Sequence, residues 1–525
     1  MTLQGSGNFS SPSVHIGKKA GGQLSLALII GAAVAARSWL LFGTQYVPGI
    51  NGGYYLVQAR TLLERGNLGF PDLPLTFHLH AALAWVLAKA GGLAQAEAIV
   101  WAVKLCDALL PPLVAWPVFV LVRRWATARG QGEGVPLATA ALACFAWPWF
   151  RMVGDLQKNS LALVWLAALA VALHGWLGAP TPKRALAVLL CLLLLSLTHV
   201  GVLGAALVLV AVVIVVFIFR QAPLGRRQIL TWSAIAVLLL IAAGILVLWR
   251  FDSARIHRLI TAFTNPAKFA ADGRQMPVPL GKGTAPLSWL PSMGFAVLVV
   301  PGLVFAWRRR KTLPAVDFAL VAGLAIAVLV ITSPWFGLDK ALRFYLIGLM
   351  PAITVGAFSV LHLASAWLRR GVCVVALLLG VGSAWPILRA GGNAILSDPA
   401  MVELQGLARH VPESGRTLVC AQHGVEWWTA WFLHTRISQF SALQASDWQQ
   451  YDSIYFLEIK AGLHMPLVPG MPPPPGNRPD HSGGSDFGLP SPSRAGPMRS
   501  APIPPEADIL YDGEHLLFAR IIKAP

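Results

Sequence analysis

Long apolar runs constrain this chain more than any other feature of its sequence. Eleven of them approach the roughly 20 residues that a helix needs to cross a bilayer. They lie at about 23–43, 98–122, 135–150, 160–178, 185–200, 201–219, 229–249, 288–307, 314–332, 342–367 and 371–388. With 56% hydrophobic and only 12% charged residues, the composition excludes a disordered protein and argues against a wholly soluble enzyme.

The basic residues indicate how these runs are oriented. Clusters of Lys and Arg fall between alternate runs, and the positive-inside rule assigns such loops to the cytoplasm. A twelfth, shorter run at about 74–90 carries His78 and His80. An odd number of crossings must separate Lys19 from Arg123, so this run is expected to be a re-entrant or surface-lying helix on the outer side. Eleven crossings then place residues 389–525 outside.

The net charge of +18 would usually suggest a nucleic-acid partner. Residues 1–388 carry 31 Lys and Arg against 10 acids, whereas residues 389–525 carry 10 against 13. The basic excess therefore belongs to the apolar part, where membrane topology explains it, and no nucleic acid is expected. Four of the five cysteines lie inside apolar runs, which excludes a disulfide scaffold.

These patterns predict a mainly α, polytopic membrane protein. It has about 11 transmembrane helices, one re-entrant or interfacial helix and a small α/β C-terminal extracytoplasmic domain. The predicted segments are a cytoplasmic N-terminus (1–22), a transmembrane domain (23–388), an extracytoplasmic α/β segment (389–464), a Pro/Gly-rich linker (465–505) and a C-terminal β-hairpin (506–525). Strands are expected at 417–421 and 451–459, with an amphipathic helix at 424–434 between them. The hairpin would turn at Asp512–Gly513 and return to these strands.

Carboxylates are scarce in residues 1–388, and two of them are candidates for catalysis. Asp155 shares a short outer loop with Arg151 and Lys158. Basic side chains bind phosphate, and a carboxylate can take a proton from a hydroxyl. A solvated turn that caps the next helix is the alternative. Asp72 is the second candidate, because prolines hold it at the mouth of the 74–90 helix.

Other outer-face residues are candidates for substrate binding. Residues 54–65 form an amphipathic helix with Tyr54 near one face and Asn51 placed to cap it. The alternative is an interfacial helix whose Arg60 and Arg65 touch lipid headgroups. His199 ends one span just before the next begins, where a hydrogen-bonded structural role is the alternative.

The segment at 333–345 puts Lys340 and Arg343 at the outer start of a helix, where they would suit a lipid phosphate. An interfacial anchor with Trp335 and Tyr345 is the alternative. Within another span, Lys104 and Asp107 lie three residues apart and are expected to neutralise each other. His423 and Glu426 have a spacing that suits zinc on a helix, but no third ligand stands at a firm spacing.

Four motifs together resemble the glycosyltransferase C superfamily of bacterial membrane proteins, which use polyprenyl-phosphate sugars. They are "GGYYLVQARTLLERGNLGFPDLPLTFHLHAAL", "GDLQKNSLAL", "LTHVG" and "LDKALRFYLIGLMPAI", and the resemblance covers roughly residues 20–390. It implies an acid in the first outer loop that serves as base or metal ligand. Asn51 stands at that position, and an amide cannot accept the acceptor's proton. Asp155 matches the family's second acid, and Lys158, Lys340 and Arg343 match its lipid-phosphate ligands by position.

The expected function is sugar transfer from a polyprenyl-phosphate donor to an acceptor at the outer face of the cell membrane. Asp155 or Asp72 would supply the base, with Lys158, Lys340, Arg343, Asn51, Tyr54 and His199 binding substrate. Membrane lipids are the other expected partners, and a divalent metal is a possible cofactor. The alternative is a non-catalytic membrane protein that binds or moves a lipid-linked glycan; the paired halves typical of transporters are not evident in the sequence.

Overall fold

A computed structural model describes residues 16–220, 246, 250, 290–332, 338–412, 416–439, 447–461, 463 and 503–522. The expected span at 229–249, most of the 250–287 loop and nearly all of the 465–505 linker lie outside these residues. The longer helices of the described part are α1 (Ile16–Phe42), α2 (Gly52–Arg65), α3 (Leu75–Gly91), α4 (Gln95–Leu109), α5 (Ala115–Thr127), α6 (Gly134–Phe145), α7 (Trp147–Arg151), α8 (Gln157–Gly178), α9 (Pro182–Thr198), α10 (Val200–Arg220), α11 (Leu290–Arg308), α12 (Ala315–Ile331), α13 (Leu338–Leu361), α14 (Ala366–Ala390), α15 (Asp398–Gly406) and α16 (Val425–Leu433).

Six helical stretches in the described residues are long and apolar enough to cross a membrane. They are Gly21–Phe42, Gln95–Thr127, Gln157–Gly178, Val200–Arg220, Arg343–Leu361 and Ala366–Ala390. Two shorter apolar helices, Gly294–Arg308 and Ala315–Ile331, accompany them. Helix α3 is in neither group, and neither is α9, which covers an expected span, so the re-entrant or interfacial place of α3 stays a prediction. The chain is therefore a polytopic membrane protein in character, and the total of eleven crossings stays a prediction.

Two of the apolar runs are broken where proline interrupts them. Pro111–Val114 forms a short 3₁₀ turn between α4 and α5, and extended backbone at Ala146 separates α6 from α7. Proline lacks the N–H that an interior helical position donates, so it is tolerated at the start of a new helical segment. Pro148 occupies that place in α7. The second break lies directly before the loop that carries Asp155.

Helix packing separates an interior from a lipid-facing surface. The largest hydrophobic cluster is formed mainly by α5, α8, α10, α12 and α13. Helix α14, by contrast, buries only Ala384 among its described side chains and exposes Leu378 and Leu379 by 68% and 70%. An apolar surface of this size suits hydrocarbon rather than water.

The C-terminal part folds around one five-stranded sheet, with the strands in the order β2-β1-β3-β5-β4. The strands are β1 (Thr417–Ala421), β2 (Arg436–Gln439), β3 (Ser453–Ile459), β4 (Asp508–Asp512) and β5 (Leu516–Ile522). Strand β1 is parallel to β2 and β3, while β5 is antiparallel to β3 and β4. Strand β1 covers the strand predicted at 417–421, β3 lies within the one predicted at 451–459, and the antiparallel pair of β4 and β5 joins β3 across the linker.

A second hydrophobic cluster joins this C-terminal part to α2, α3 and α4. Trp428 of α16 is fully buried and packs edge-on against Tyr46. Helix α16 can approach α2 closely because Gly52 and Gly53 begin that helix. A Cβ on Gly53 would lie 2.9 Å from the backbone of Trp427 and Trp428. The two glycines therefore permit the contact that brings α16 to the N-terminus of α2.

Candidate functional site

Asp155 lies in the turn between α7 and α8, and its position depends on two close backbone approaches. Gly154 has φ +72°, and its N–H donates to Asp107 Oδ2 at 2.7 Å. Gly49 has φ +88°, and a Cβ there would lie 2.6 Å from the Cβ of Asp155. Both backbone conformations favour glycine. Asp107 is in turn fixed by Arg37, whose Nη2 lies 2.5 Å from Oδ1. The turn is therefore anchored to the membrane-spanning helices.

Asp155 is 4% exposed, and its carboxylate receives donors on both oxygens. Asn51 donates to Oδ1 from its backbone N–H at 3.0 Å and from its side-chain Nδ2 at 2.7 Å. Arg151 Nη1 lies 3.2 Å from Oδ2. The Tyr55 hydroxyl donates to the backbone carbonyl of Asp155 at 3.2 Å. A buried carboxylate with these donors is held in one orientation as an acceptor.

Asn51 was expected to cap α2, and the structure corrects this. It stands at the N-cap position, but its side chain makes no capping hydrogen bond and reaches Asp155 instead. The amide at the position where the resemblance implied an acid is therefore a direct hydrogen-bond partner of Asp155.

Asp72 is 2% exposed and belongs to a neighbouring cluster. Its Oδ2 is contacted by Lys158 Nζ and by the Tyr54 hydroxyl, and its Oδ1 accepts from Leu73 N at 2.7 Å. The Lys158 ammonium also lies 5.4 Å from the ring centroids of both Tyr54 and Phe77. Burial, followed by the nearby Asp72, raises the pKa of Tyr54 well above its usual value, so this phenol remains a donor.

Two expected pairings are replaced by others. Lys158 was placed beside Asp155, but in the structure it contacts Asp72, and Arg151 is the cation that contacts Asp155. Likewise, Lys104 does not neutralise Asp107. Its ammonium donates to the carbonyls of Thr44 and Gln45 at 2.6 and 3.0 Å, while Asp107 pairs with Arg37.

The remaining candidates lie at the junction of α9 and α10 and on α13. His199 Nδ1 accepts from Val202 N at 3.2 Å at the start of α10, which fits the structural alternative for this residue. Arg343 is exposed in the first turns of α13. Lys340 lies in the same helix, and its side chain is outside the described residues.

The C-terminal part contributes His423 and Glu426, whose spacing suits zinc but for which the sequence offers no third ligand. His423 Nδ1 lies 2.9 Å from Glu426 Oε1, and the Glu426 side chain is 2% exposed. The hydrogen bond to Glu426 raises the pKa of His423, and the Asp155 carboxylate acts in the same direction while Arg343 opposes it. Among the described residues, no group of three or more His, Cys, Asp or Glu could hold a metal ion.

The interfacial alternative expected Arg60 to touch lipid headgroups, and the structure places this side chain elsewhere. It is 8% exposed, and its guanidinium donates to the carbonyls of Ala430 and Trp431 at 2.8 and 2.7 Å. It lies 5.0 Å above the Trp431 ring. Arg60 therefore binds α16 to α2 rather than contacting lipid headgroups, and the exposed Arg65 remains available for that role.

The two acidic clusters are joined through α2. Tyr54 contacts Asp72, and the next residue, Tyr55, contacts the backbone of Asp155. A small, half-open pocket is lined in part by Thr76, His80, Asp107 and Gln157; Asp72, Asp155 and Arg343 are not among its lining residues. The candidate site is therefore the surface around the N-terminus of α2, next to Asp155; the charges of Asp155 and Arg343 act in opposite directions on the pKa of His423.

Comparison with known proteins gives a match in structure but not in sequence. No protein-family model and no curated protein matches the chain. The crystal structure of ArnT from Cupriavidus metallidurans bound to undecaprenyl phosphate is similar, with a TM-score of 0.52 and 14% identity over 95% of this chain and 98% of that one. The apo state of the same protein gives the same TM-score and identity over 96% and 98%. ArnT is a glycosyltransferase of the glycosyltransferase C superfamily, so the resemblance read from the motifs is confirmed at the level of the fold.

Proposed function

We propose that this protein is a membrane glycosyltransferase that moves a sugar from a polyprenyl-phosphate donor to an acceptor hydroxyl. The reaction takes place at the outer face of the cell membrane, in the space that the C-terminal α/β domain also occupies. The fold shared with a glycosyltransferase supports this class of reaction. The observation that carries the proposal is the buried Asp155 carboxylate, held by Asn51 and Arg151 at the N-terminus of α2.

Asp155 acts as the general base in this proposal. It takes the proton from the acceptor hydroxyl while the acceptor oxygen forms a bond to the anomeric carbon of the sugar. The bond between that carbon and the phosphate oxygen breaks, and the electron pair leaves with the polyprenyl phosphate. Asn51 and Arg151 orient the carboxylate, and Arg343 receives the phosphate as a charge-assisted donor.

Asp72 is assigned a positioning role. Lys158 and Tyr54 both contact its Oδ2, and a backbone N–H occupies its Oδ1. By holding Tyr54 and Lys158, Asp72 fixes the start of α2, from which Asn51 and Tyr55 reach Asp155.

The test compares two isosteric substitutions in the full-length protein. Asp155→Asn should lower transfer by about 10²–10⁴-fold, because the base is lost while the shape of the turn is kept. Asp452→Asn, at an exposed carboxylate of the C-terminal part, is the matched control and should leave transfer unchanged. Transfer is measured as polyprenyl phosphate released from the lipid-linked sugars of native membranes, and donor binding is followed in parallel.

A protein that only binds or moves a lipid-linked glycan would respond differently. It would keep its function when Asp155 becomes Asn, because binding does not need a proton acceptor. Equal activity of the Asp155→Asn and control variants would therefore reject the enzyme and favour that alternative.

The sidedness of the site has its own test. A membrane-impermeant thiol reagent applied from outside should label cysteine introduced at the exposed positions Asn67 and Gln450, but not at Ala128. The native cysteines of the described residues are buried or half-buried, which keeps the background low. Labelling of position 128 from outside would overturn the proposed orientation.

A further inference from the structure

We infer that the small pocket between α3, α4 and α8 is a binding site for an internal water molecule, which joins Thr76, His80 and Gln157 by hydrogen bonds. The site is separate from the surface where the sugar donor and acceptor are proposed to bind. The inference goes beyond the proposed function and does not depend on the reaction assigned to Asp155.

Three side chains that line this pocket are buried and polar. Thr76, His80 and Gln157 are 3%, 0% and 2% exposed. Among the described residues, nothing forms a hydrogen bond with the Thr76 hydroxyl, with either ring nitrogen of His80 or with Gln157 Oε1. Buried polar atoms are almost always paired, because burying one without a partner costs free energy. These atoms therefore need a partner that the pocket can hold.

The helices bring the three side chains to one space. Thr76 and His80 are four residues apart on α3, so they lie on the same face of that helix. Gln157 is the first residue of α8, and Leu161, one turn further on, also lines the pocket. Tyr55 packs edge-on against the His80 ring, with the ring centroids 5.8 Å apart. The polar groups of two helices thus face a space that is otherwise enclosed by apolar and aromatic side chains.

The charged residue at this pocket is already neutralised. Asp107 is among the lining residues, but its Oδ1 is paired with Arg37 Nη2 at 2.5 Å and its Oδ2 accepts from Gly154 N at 2.7 Å. Because burial disfavours a charged imidazole, the His80 ring is neutral as well. The pocket therefore suits a neutral ligand rather than an ion.

The size and the chemistry of the pocket fit one water molecule. The centre of a water-sized sphere can occupy about 10 Å³ of it, which is the space that a single buried water needs. Gln157 Oε1 can only accept, a neutral imidazole has one donor and one acceptor, and a hydroxyl can do either. A water that donates to Gln157 can still bond to one ring nitrogen of His80 and to Thr76. Three hydrogen bonds are typical of a buried water.

The position of the site gives this water a structural role. Gln157 Nε2 donates to the carbonyl of Gly154 at 3.4 Å, and Gly154 directly precedes Asp155. The water therefore connects α3 to the turn between α7 and α8 through Gln157.

The sign of a stability change tests the inference. Thr76→Val keeps the shape of the side chain and removes only its hydroxyl. If a water bridges the three side chains, the substitution removes one of its hydrogen bonds, and the unfolding temperature of the full-length protein should fall by about 1–2 °C. If the pocket is dry, the substitution removes a buried hydroxyl that has no partner, and the unfolding temperature should rise.

Thr354→Val is the matched control. Thr354 is 2% exposed, and its hydroxyl donates to the carbonyl of Met350 at 2.8 Å, one turn earlier in the same helix. This variant measures the effect of a buried threonine-to-valine exchange where the hydroxyl is paired within its own helix. Thr76→Val should unfold at a lower temperature than both wild type and this control, and any other order overturns the inference.

A direct observation needs no variant and decides the matter even where Thr76→Val fails to fold. Cryo-electron microscopy of the wild-type protein in lipid nanodiscs, at a resolution that shows ordered water, should give a density peak about 3 Å from Thr76 Oγ1 and Gln157 Oε1. A map that shows ordered water elsewhere in the protein interior but no peak here overturns the inference. A peak with the coordination of a metal ion does so too. In either case the proposed sugar transfer is unaffected, because its test measures the Asp155 carboxylate.

Discussion

The side chain and the backbone of Asn51 both donate to a single oxygen of the Asp155 carboxylate, at 2.7 and 3.0 Å. The resemblance to the glycosyltransferase C superfamily implies an acid at position 51. Two carboxylates at this separation would repel each other unless a cation or a shared proton lay between them. The amide removes that conflict, and the other oxygen is contacted by Arg151. Asn51 and Arg151 thus satisfy both oxygens of the Asp155 carboxylate with protein donors, so that no metal ion is needed to do so.

Transfer by the wild-type protein should therefore be insensitive to chelators. The Asn51→Asp variant, by contrast, should lose activity in EDTA, because it sets two carboxylates at hydrogen-bond distance. Added Mn²⁺ or Mg²⁺ should restore part of that activity, since a divalent cation neutralises the pair. Released polyprenyl phosphate measured with and without EDTA checks both statements.

Asn51→Ser is the control for this prediction, because it shortens the side chain without adding charge. Whatever transfer rate it retains should change neither with EDTA nor with added divalent cations. Inhibition of the wild type by EDTA, reversed by a divalent cation, would show that Asp155 binds a metal despite its protein donors.

Lys158 and Arg343 should give different phenotypes, although both match phosphate ligands by position. Lys158→Ala leaves Asp72 buried without its cation, which typically costs about 3–5 kcal/mol of stability. Arg343→Ala removes an exposed side chain and should weaken farnesyl phosphate binding by about 1.5–3 kcal/mol with no change in thermal unfolding. Unfolding temperatures and binding isotherms of the two variants separate these effects.

The double variant Lys158→Met/Asp72→Leu sharpens the comparison. It removes both charges and should recover much of the stability lost in Lys158→Ala. If Lys158→Ala weakens lipid binding but leaves stability unchanged, Lys158 must instead be assigned to binding the donor phosphate.

Much of the fold could be predicted because membrane burial imposes a simple rule. A span needs a long apolar run, and each apolar run within the described residues is helical. Strands β1 and β3 were recognisable from short apolar runs with strand-type residues. Strand β2, "RISQ", has four residues and mixed polarity, so its strand conformation depends on pairing with β1 rather than on its own pattern.

The partners of the site residues were harder to predict, for a geometric reason. Asp155 and Lys158 stand three residues apart in one short loop, a spacing that brings two side chains together when both belong to one helix. Helix α8 begins at Gln157, so Asp155 lies outside it and the i,i+3 spacing does not apply. The donors that hold Asp155 come from Asn51, 104 residues away in sequence, and from Arg151. The contact of Gly424 with Ile50 likewise depends on the docking of two domains, and no local pattern encodes it.

Arg60 should matter for the docking of the C-terminal domain. Arg60→Ala leaves the carbonyls of Ala430 and Trp431 without their donor and removes the ring contact, which should cost about 1.5–3 kcal/mol. Arg65→Ala, one turn further and exposed, should change stability by less than about 0.5 kcal/mol. Thermal unfolding and limited proteolysis of the C-terminal part check the difference. Equally small effects of the two substitutions on stability would support the lipid-headgroup interpretation.

Gly154 tests whether the close approach of the Asp155 turn is needed for activity. A Cβ at this position would collide with the backbone carbonyl of Pro48, and the residue has φ +72°. Gly154→Ala therefore carries the conformational cost of about 1–3 kcal/mol and must also displace the 48–51 segment from Asp155. Since Asn51 belongs to that segment, the Asp155 carboxylate should lose the hydrogen bonds from Asn51. The transfer rate should therefore fall by more than the loss of folded protein explains.

Gly92→Ala separates the conformational cost of placing alanine at a positive φ from the displacement of the 48–51 segment. Gly92 has φ +68° and no atom within 4 Å of the position that a Cβ would take. Its substitution should show the conformational cost alone, as a lower unfolding temperature with normal transfer by the folded protein. A displacement of about 1 Å at a reacting group can reduce a rate by about 10²-fold, so Gly154→Ala should lose activity even where it remains folded. If the two alanine variants lose stability and activity in the same proportion, the approach of Pro48 to Gly154 has no part in orienting Asp155, and the hydrogen bonds from Asn51 alone must account for its position.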